Sequence, residues 1–177
     1  MQTHTWKNIH LNEAYNDNSN DRDIICIQRD DNRHIWVGTR GGGLFLLDET
    51  GKVLQRYNAE HGLASNVIHS LRKDRQGALW AATNEGLSRF NPHDRSFRNY
   101  SENDELGGKE FIDYAAEKGP EGQLLFGGIH GLNLFYPDSI ADNPVKPIVA
   151  FTDLLLLNQK TIPLGKGSPL KLSLIHI

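Results

Sequence analysis

One segment of this chain occurs twice, and a third time in altered form. Asp30-Asp31-Asn32-Arg33-His34-Ile35-Trp36-Val37-Gly38-Thr39 aligns with Asp74-Arg75-Gln76-Gly77-Ala78-Leu79-Trp80-Ala81-Ala82-Thr83. Trp36 thus recurs as Trp80, 44 residues on, and Thr39 as Thr83. A Gly-Leu pair follows each copy, Gly43-Leu44 and Gly86-Leu87. The third copy is Gly122-Gln123-Leu124-Leu125-Phe126-Gly127-Gly128-Ile129-His130-Gly131-Leu132, with Gly131 45 residues after Gly86. A mid-forties period built of strand-like segments marks the four-stranded blade of a β-propeller. Such units bury their faces only against neighbours of the same kind.

Alternation and turn chemistry place the strands. In the second copy they are Val67–Arg72, Leu79–Thr83, Leu87–Asn91 and Ser96–Tyr100. Asp74-Arg75-Gln76-Gly77 closes the first hairpin, with Gly77 free to take positive φ. The first copy predicts Ile24–Arg29, His34–Thr39, Leu44–Asp48 and Val53–Tyr57. The third predicts Phe111–Ala116, Gln123–Gly128 and Leu132–Tyr136, and then its pattern stops. Trp6-Lys7-Asn8-Ile9 has the look of an outer strand from a preceding blade. The expected fold is all-β: about three blades of an incomplete propeller over residues 1–137, in repeats 23–66, 67–110 and 111–137. Three blades cannot close a ring of four to eight, so further blades are expected on the N-terminal side.

A polar connector with three prolines spans residues 137–147 and sets a boundary, with the linker proper at 138–147. Residues 148–171 then read as the opening of an Ig-like β-sandwich, too short to complete one. Leu172-Ser173-Leu174-Ile175-His176-Ile177 resembles a translated sequencing-adapter end and is left out of the fold reading.

Composition narrows the function classes. Charged residues make up 23% and the net charge is −3, with both signs mixed along the chain. That is neither the basic footprint of a nucleic-acid binder nor a polybasic membrane patch. The most apolar stretch, Ile148 to Leu157, is well short of the roughly 20 residues that cross a bilayer. The single cysteine, Cys26, lies in an apolar run and reads as a small buried hydrophobe. Arg40-Gly41-Gly42-Gly43 lacks the Lys-Ser/Thr ending and following helix of a phosphate cradle. The eight histidines show no metal-ligand spacing and no Ser-His-Asp order. Glu110 and Asp113, three apart on a strand, point to opposite faces. No enzyme, metal or cofactor is expected.

The pattern strand–Asp-x-x-Gly-x-Leu-Trp-x-(Gly/Ala)-Thr-x-x-Gly-Leu resembles the two-component regulator propeller repeat. Its structural positions here are Trp36, Gly38, Thr39, Gly43 and Leu44 in the first copy. They are Gly77, Trp80, Thr83, Gly86 and Leu87 in the second, and Gly122, Gly127, Gly131 and Leu132 in the third. Leu125 to Pro137 resembles the final blade of such propellers, and Pro147 to Leu164 the start of the triple-tyrosine β-sandwich that follows them. The copies depart at Arg33 for the turn glycine, and at Gly119 and Leu125 for the turn aspartate and the tryptophan. The resemblance implies the periplasmic region of a homodimeric hybrid two-component sensor of the Bacteroidetes. Many such sensors detect oligosaccharides and switch on glycan-degrading genes through a kinase, receiver and DNA-binding output. A propeller scaffold for dimerisation or protein interaction is the alternative.

Strand count also sorts the loops. If the first strand of each blade lines the channel, loops between strands two and three share a face with the connections between blades. That face carries Arg40, His61, Asn66, Asn84, Glu85, Lys109, Glu110 and His130. Planar polar groups there suit a hydroxyl-rich ligand such as an oligosaccharide. Trp36 and Trp80, at equal strand positions, are instead expected in the core between blades.

Overall fold

In a computed structural model, residues 6–11 and 23–140 are described throughout, together with two short strands, Leu154–Leu156 and Gln159–Thr161. The chain divides into two compact units, Met1–Ile140 and Ala141–Ile177. In the first, β1 (Ile24–Arg29), β2 (Ile35–Thr39), β3 (Leu44–Leu47) and β4 (Val53–Tyr57) form one antiparallel sheet in sequence order. A second comprises β5 (Ile68–Lys73), β6 (Leu79–Thr83), β7 (Gly86–Asn91) and β8 (Ser96–Tyr100). The third has three strands, β9 (Phe111–Lys118), β10 (Leu124–Gly128) and β11 (Gly131–Phe135). The first strands converge, β1 on β5, β5 on β9 and β1 on β9, so each blade fans outward from a hub of first strands. In the second unit β12 (Leu154–Leu156) pairs antiparallel with β13 (Gln159–Thr161). The expected sandwich otherwise falls, like residues 172–177, outside the described residues. Residues 6–10 form no strand. They run beside the first blade, where Lys7 Nζ donates to the Thr50 carbonyl at 2.7 Å and Leu11 joins Val37, Phe45 and Leu47 in a small core.

The repeated residues have a common physical task. Asp74 is 1% exposed, and its Oδ1 accepts from the Gln76 and Ala78 amides, each at 2.9 Å. Its Oδ2 accepts from the Trp80 indole N–H at 2.9 Å. In the first blade Asp30 accepts the Asn32 and His34 amides at 2.9 Å and the Trp36 indole at 3.2 Å. One carboxylate therefore closes the β-hairpin and holds the tryptophan, because a buried charge must find its donors locally. Trp36 then packs with Tyr57, Leu71 and Phe90 between blades one and two. Trp80 packs with Tyr100, Phe111 and Phe126 between blades two and three. The third copy lacks both partners of this clasp. There the turn is closed by Gly119 N–H to the Gln123 carbonyl at 2.9 Å, and Glu121 N–H donates to Gln123 Oε1 at 3.0 Å.

Thr39 and Thr83, both fully buried, donate their hydroxyls to the Gly43 and Gly86 carbonyls at 2.9 and 2.8 Å. Gly43 and Gly86 sit at φ 86° and 108°, and a Cβ at either would drive into the carbonyl oxygen of Tyr57 or Tyr100. Each Gly-Leu pair is thus fixed by the close approach of the fourth strand's end.

Asp74→Ala leaves three N–H donors without their acceptor, and should cost about 3 kcal/mol or more of stability. Trp36→Ala and Trp80→Ala should each cost about 3–5 kcal/mol. In thermal unfolding, Asp74→Ala and Trp80→Phe combined should cost less than their separate costs added, because both break one interaction.

Candidate binding face at the hub

The strand directions put two sets of loops at opposite ends of the blades. The β2–β3 and β6–β7 loops and the connections 58–67 and 101–110 lie at one end. The hairpin turns at 30–34, 74–78 and 92–95 lie at the other. The first end is stitched together by backbone. Gly41 and Gly43 N–H both donate to the Asn66 carbonyl, at 3.1 and 2.9 Å, and Gly86 N–H donates to the Lys109 carbonyl at 2.9 Å. Arg56 Nε adds a bond to the Gly42 carbonyl at 2.7 Å. The amides of Gly41 and Gly43 are therefore already engaged within the protein.

All eight expected ligand residues lie at this end, but they do not form one cluster. Asn84, Glu85, Lys109, Glu110 and His130 are exposed. Asn66 is tied down, its side-chain oxygen accepting from Ala59 N–H at 2.8 Å. His61 closes a one-turn 3-10 segment, Ala59–His61, through Asn58, with its ring edge against Tyr57. His130 packs over Gly108. Of the eight, Arg40 is the one held in a network at the hub.

That network centres on a carboxylate from the third blade. Asp113 Oδ2 accepts from the Arg40 guanidinium of the first blade at 2.8 Å. Its Oδ1 lies 2.6 Å from His69 Nδ1 of the second blade, and Asp23 Oδ2 lies 3.9 Å from Arg40 Nε. One side chain thus joins three consecutive blades. Partial burial pushes the Asp113 carboxyl upward, but hydrogen bonds from His69 and Arg40, with their charges, outweigh this and hold it below the usual carboxylate range. The hydrogen bond to Asp113 in turn raises the Arg40 guanidinium.

The reach of Asp113 comes from a local irregularity. In blade one the pairs Ile24↔Thr39 and Ile27↔Val37 bracket a bulge of one residue, and in blade two Ile68↔Thr83 and Leu71↔Ala81 do the same. In blade three Phe111↔Gly128 and Ala116↔Phe126 enclose two residues more on the first strand. Asp113 and Tyr114 lie in that enlarged bulge, with Tyr114 at φ 63° and 67% exposed. Bulges re-aim side chains and concentrate near functional sites. Neither Asp113 nor His69 stands out by strand alternation, since the bulge breaks the period of two. The available signal is spacing: Ile68 to Gly77 is nine residues, whereas Phe111 to Gly122 is eleven.

Elsewhere, a cleft of about 200 Å³ opens at the opposite end between blades one and two, lined by Asp30, Trp36, Lys73 and His93 among others. Its Lys73 is paired with Asp31 and its Asp30 with Trp36. Cys26, expected to be buried, is partly buried against the core between blades one and two, and desolvation pushes its thiol up to about 12. Among the described residues no three His, Cys, Asp or Glu side chains gather as a metal site.

Sheet order, converging first strands and the repeated clasp define consecutive blades of a β-propeller. Residues 18–41 and 62–85 match the family model of the two-component regulator propeller. Histidine kinase P4 of Formosa agariphila is 31% identical over 144 residues, which is 81% of this chain and 10% of that protein. The chain therefore spans about a tenth of the length of the curated relative it matches. Among solved structures, the extracellular domain of a putative hybrid two-component system from B. thetaiotaomicron matches with a TM-score of 0.59. It is 23% identical, over 70% of this chain and 18% of that one. A catalytically inactive virginiamycin B lyase from Staphylococcus aureus matches at TM-score 0.50 and 15% identity, over 73% and 44%. These likenesses concern the propeller fold.

Because Asp113 titrates lower in the folded chain than in the unfolded one, its pairing stabilises fully above the unfolded value near pH 4. That stabilisation is lost as pH falls through the folded value. Asp113→Ala should accordingly lower the melting temperature at pH 7 and have much less effect at pH 3. An equal drop at both pH values would mean that the carboxylate's charge is not what joins the blades.

Proposed function

We propose that this chain is part of the periplasmic, ligand-sensing region of a homodimeric hybrid two-component sensor. It recognises an oligosaccharide on the loop face described above, and controls glycan-utilisation genes through the sensor's kinase. The identity to a histidine kinase and the propeller fold shared with an extracellular sensor domain support the class. The observation that carries the ligand reading is the one-sided arrangement of loops. Exposed guanidinium, amide, carboxylate and imidazole groups (Arg40, Asn84, Glu85, His130) share a face that meets the hub. The other end is occupied by turns that the blades need for their own closure. Directional donors and acceptors on loops can vary without disturbing the blades, as a family reading many glycans requires.

The transmission step follows from Asp113. A ligand that competes for Arg40 or Asp113 changes how three blades are tied together, and a change in blade packing can reach the following unit and the dimer. Calorimetric titration of the intact protein against a panel of glycan fragments tests the reading. Arg40→Ala, His61→Ala, Asn84→Ala, Glu85→Ala and His130→Ala should weaken binding wherever a hydrogen bond is lost, by about 0.5–1.5 kcal/mol each. His93→Ala and Arg95→Ala, in the turns at the other end, should leave affinity unchanged. Equal insensitivity at both ends would remove this face from the binding site.

A further inference from the structure

Among the described residues, blade three lacks the fourth strand that blades one and two possess. A cleft of about 240 Å³ lies beside its last strand, lined by Trp80, Tyr100, Leu106, Asn133, Phe135 and Ile140 among others. The seam between blades one and two shows what fills such a place. Leu79 pairs with Phe90 in blade two and Leu124 with Phe135 in blade three, so Phe90 and Phe135 are counterparts. Tyr57 and Tyr100, which end the fourth strands of blades one and two, are counterparts too. In the first seam Phe97 of β8 packs against Tyr57 and Phe90, with ring centroids 5.7 and 5.0 Å away. Two residues on, the Asn99 side chain accepts from the Ser88 hydroxyl at 2.8 Å and donates to the Gly62 carbonyl at 3.0 Å.

The second seam repeats the partners of that strand. Asn133 takes the place of Ser88: its side-chain oxygen accepts the Gly107 N–H at 2.9 Å, as the Ser88 hydroxyl accepts that of Ala64 at 3.0 Å. Glu105 takes the place of Gly62 and keeps its left-handed backbone, at φ 68° against 95°. A non-glycine residue adopts that conformation rarely, so the course of the chain is retained against its own preference. The residues that follow β11 are ill suited to the strand. By the spacing of blade two, Ala141–Val145 answer to Ser96–Tyr100, with Asp142 at the place of Phe97 and Pro144 at that of Asn99. A carboxylate is costly to bury in an apolar cleft, and proline has no N–H for a ladder. The pattern does recur elsewhere, before a first strand: Thr5-Trp6-Lys7-Asn8-Ile9 matches Ser96-Phe97-Arg98-Asn99-Tyr100 in residue type along its length.

We propose that the β11 edge and this cleft dock an extended segment of the same protein, from outside blade three, which pairs with β11 as its fourth strand. The segment carries an aromatic residue that packs against Tyr100 and Phe135. Two residues on it carries an asparagine that bonds Asn133 and the Glu105 carbonyl. Main-chain pairing supplies affinity, the cleft and the two polar partners supply selectivity, and an open strand edge is covered. The matched stretch is 10% of the length of the kinase it resembles, so sequence of this kind has room to lie elsewhere in the protein.

The probe is a synthetic peptide with the sequence of Arg95–Ser101, titrated into the 177-residue chain. It should raise the melting temperature and slow hydrogen exchange at Gly131–Phe135. Phe97→Ala in the peptide should weaken binding roughly tenfold and Asn99→Ala about threefold, equivalent to about 1.4 and 0.6 kcal/mol. Ile140→Trp in the chain should block the peptide by filling the cleft. In the full-length protein the β11 amides should exchange slowly at every concentration. Absence of peptide binding, binding that ignores Phe97→Ala, or protection of a different edge would overturn the proposal. So would slow exchange at β11 that is lost on dilution, since a second copy would then cover the edge.

Discussion

A carboxylate bonded to a tryptophan indole is the interaction on which the first two blades depend. In water an aspartate gains little from an indole N–H. Beneath a hairpin turn, with Asp74 1% exposed, the same group takes three local donors, with the Arg89 guanidinium 4.0 Å from its Oδ2. The clasp therefore fixes the first hairpin and the indole's orientation in a single step. The indole in turn fills the seam to the next blade, where Trp80 stacks on Tyr100 at 5.2 Å and meets Phe135 at 4.8 Å. Local turn chemistry and long-range packing agree, and agreement of that sort is what makes a repeat fold reliably. The third copy shows the dependence from the other side. It carries Gly119 and Leu125 in place of the two partners, so no buried carboxylate is stranded without its indole.

Placing the clasp at one end of the blades leaves the other end free to vary. There the chain is held by backbone bonds from Gly41, Gly43 and Gly86 to the following connections, and Asn84, Glu85, Lys109, Glu110 and His130 are exposed. Arg40 and Asp113 form an ion pair. Exposed ion pairs such as theirs add little stability, a median of about 0–1 kcal/mol. What the pair adds is a link between blades that are not neighbours in sequence. It exists because the third blade's first strand carries two residues more than its counterparts. The extra length sends Asp113 towards blades one and two and leaves Tyr114 exposed.

Much of this was legible in the amino-acid sequence. The blades followed from the spacing of Trp36 and Trp80 and from the Gly-Leu pairs, and strand limits differ from the expected ones by a residue or two. The sidedness of the loops followed from counting strands. The hub network did not. Alternation assigns Glu110 and Asp113 to opposite faces, and the bulge cancels that rule for the residues it contains. His69 gave no signal because its partner is 44 residues away on another blade. Trp6 to Ile9 reads as an outer strand of a preceding blade, and in the described residues it forms no strand. Asn66 and His61 have side chains suited to a ligand but engaged in closing their own connection, a distinction that residue type cannot make.

The central claim is that recognition and blade closure occupy opposite ends of the blades. Hydrogen exchange of the intact protein, with and without a bound oligosaccharide, tests this without altering a residue. The account predicts that ligand slows exchange at Arg40 to Gly43, Asn84 to Gly86 and residues 107–114, and leaves the amides of 30–34, 74–78 and 92–95 unchanged. Protection confined to those hairpin turns would contradict it.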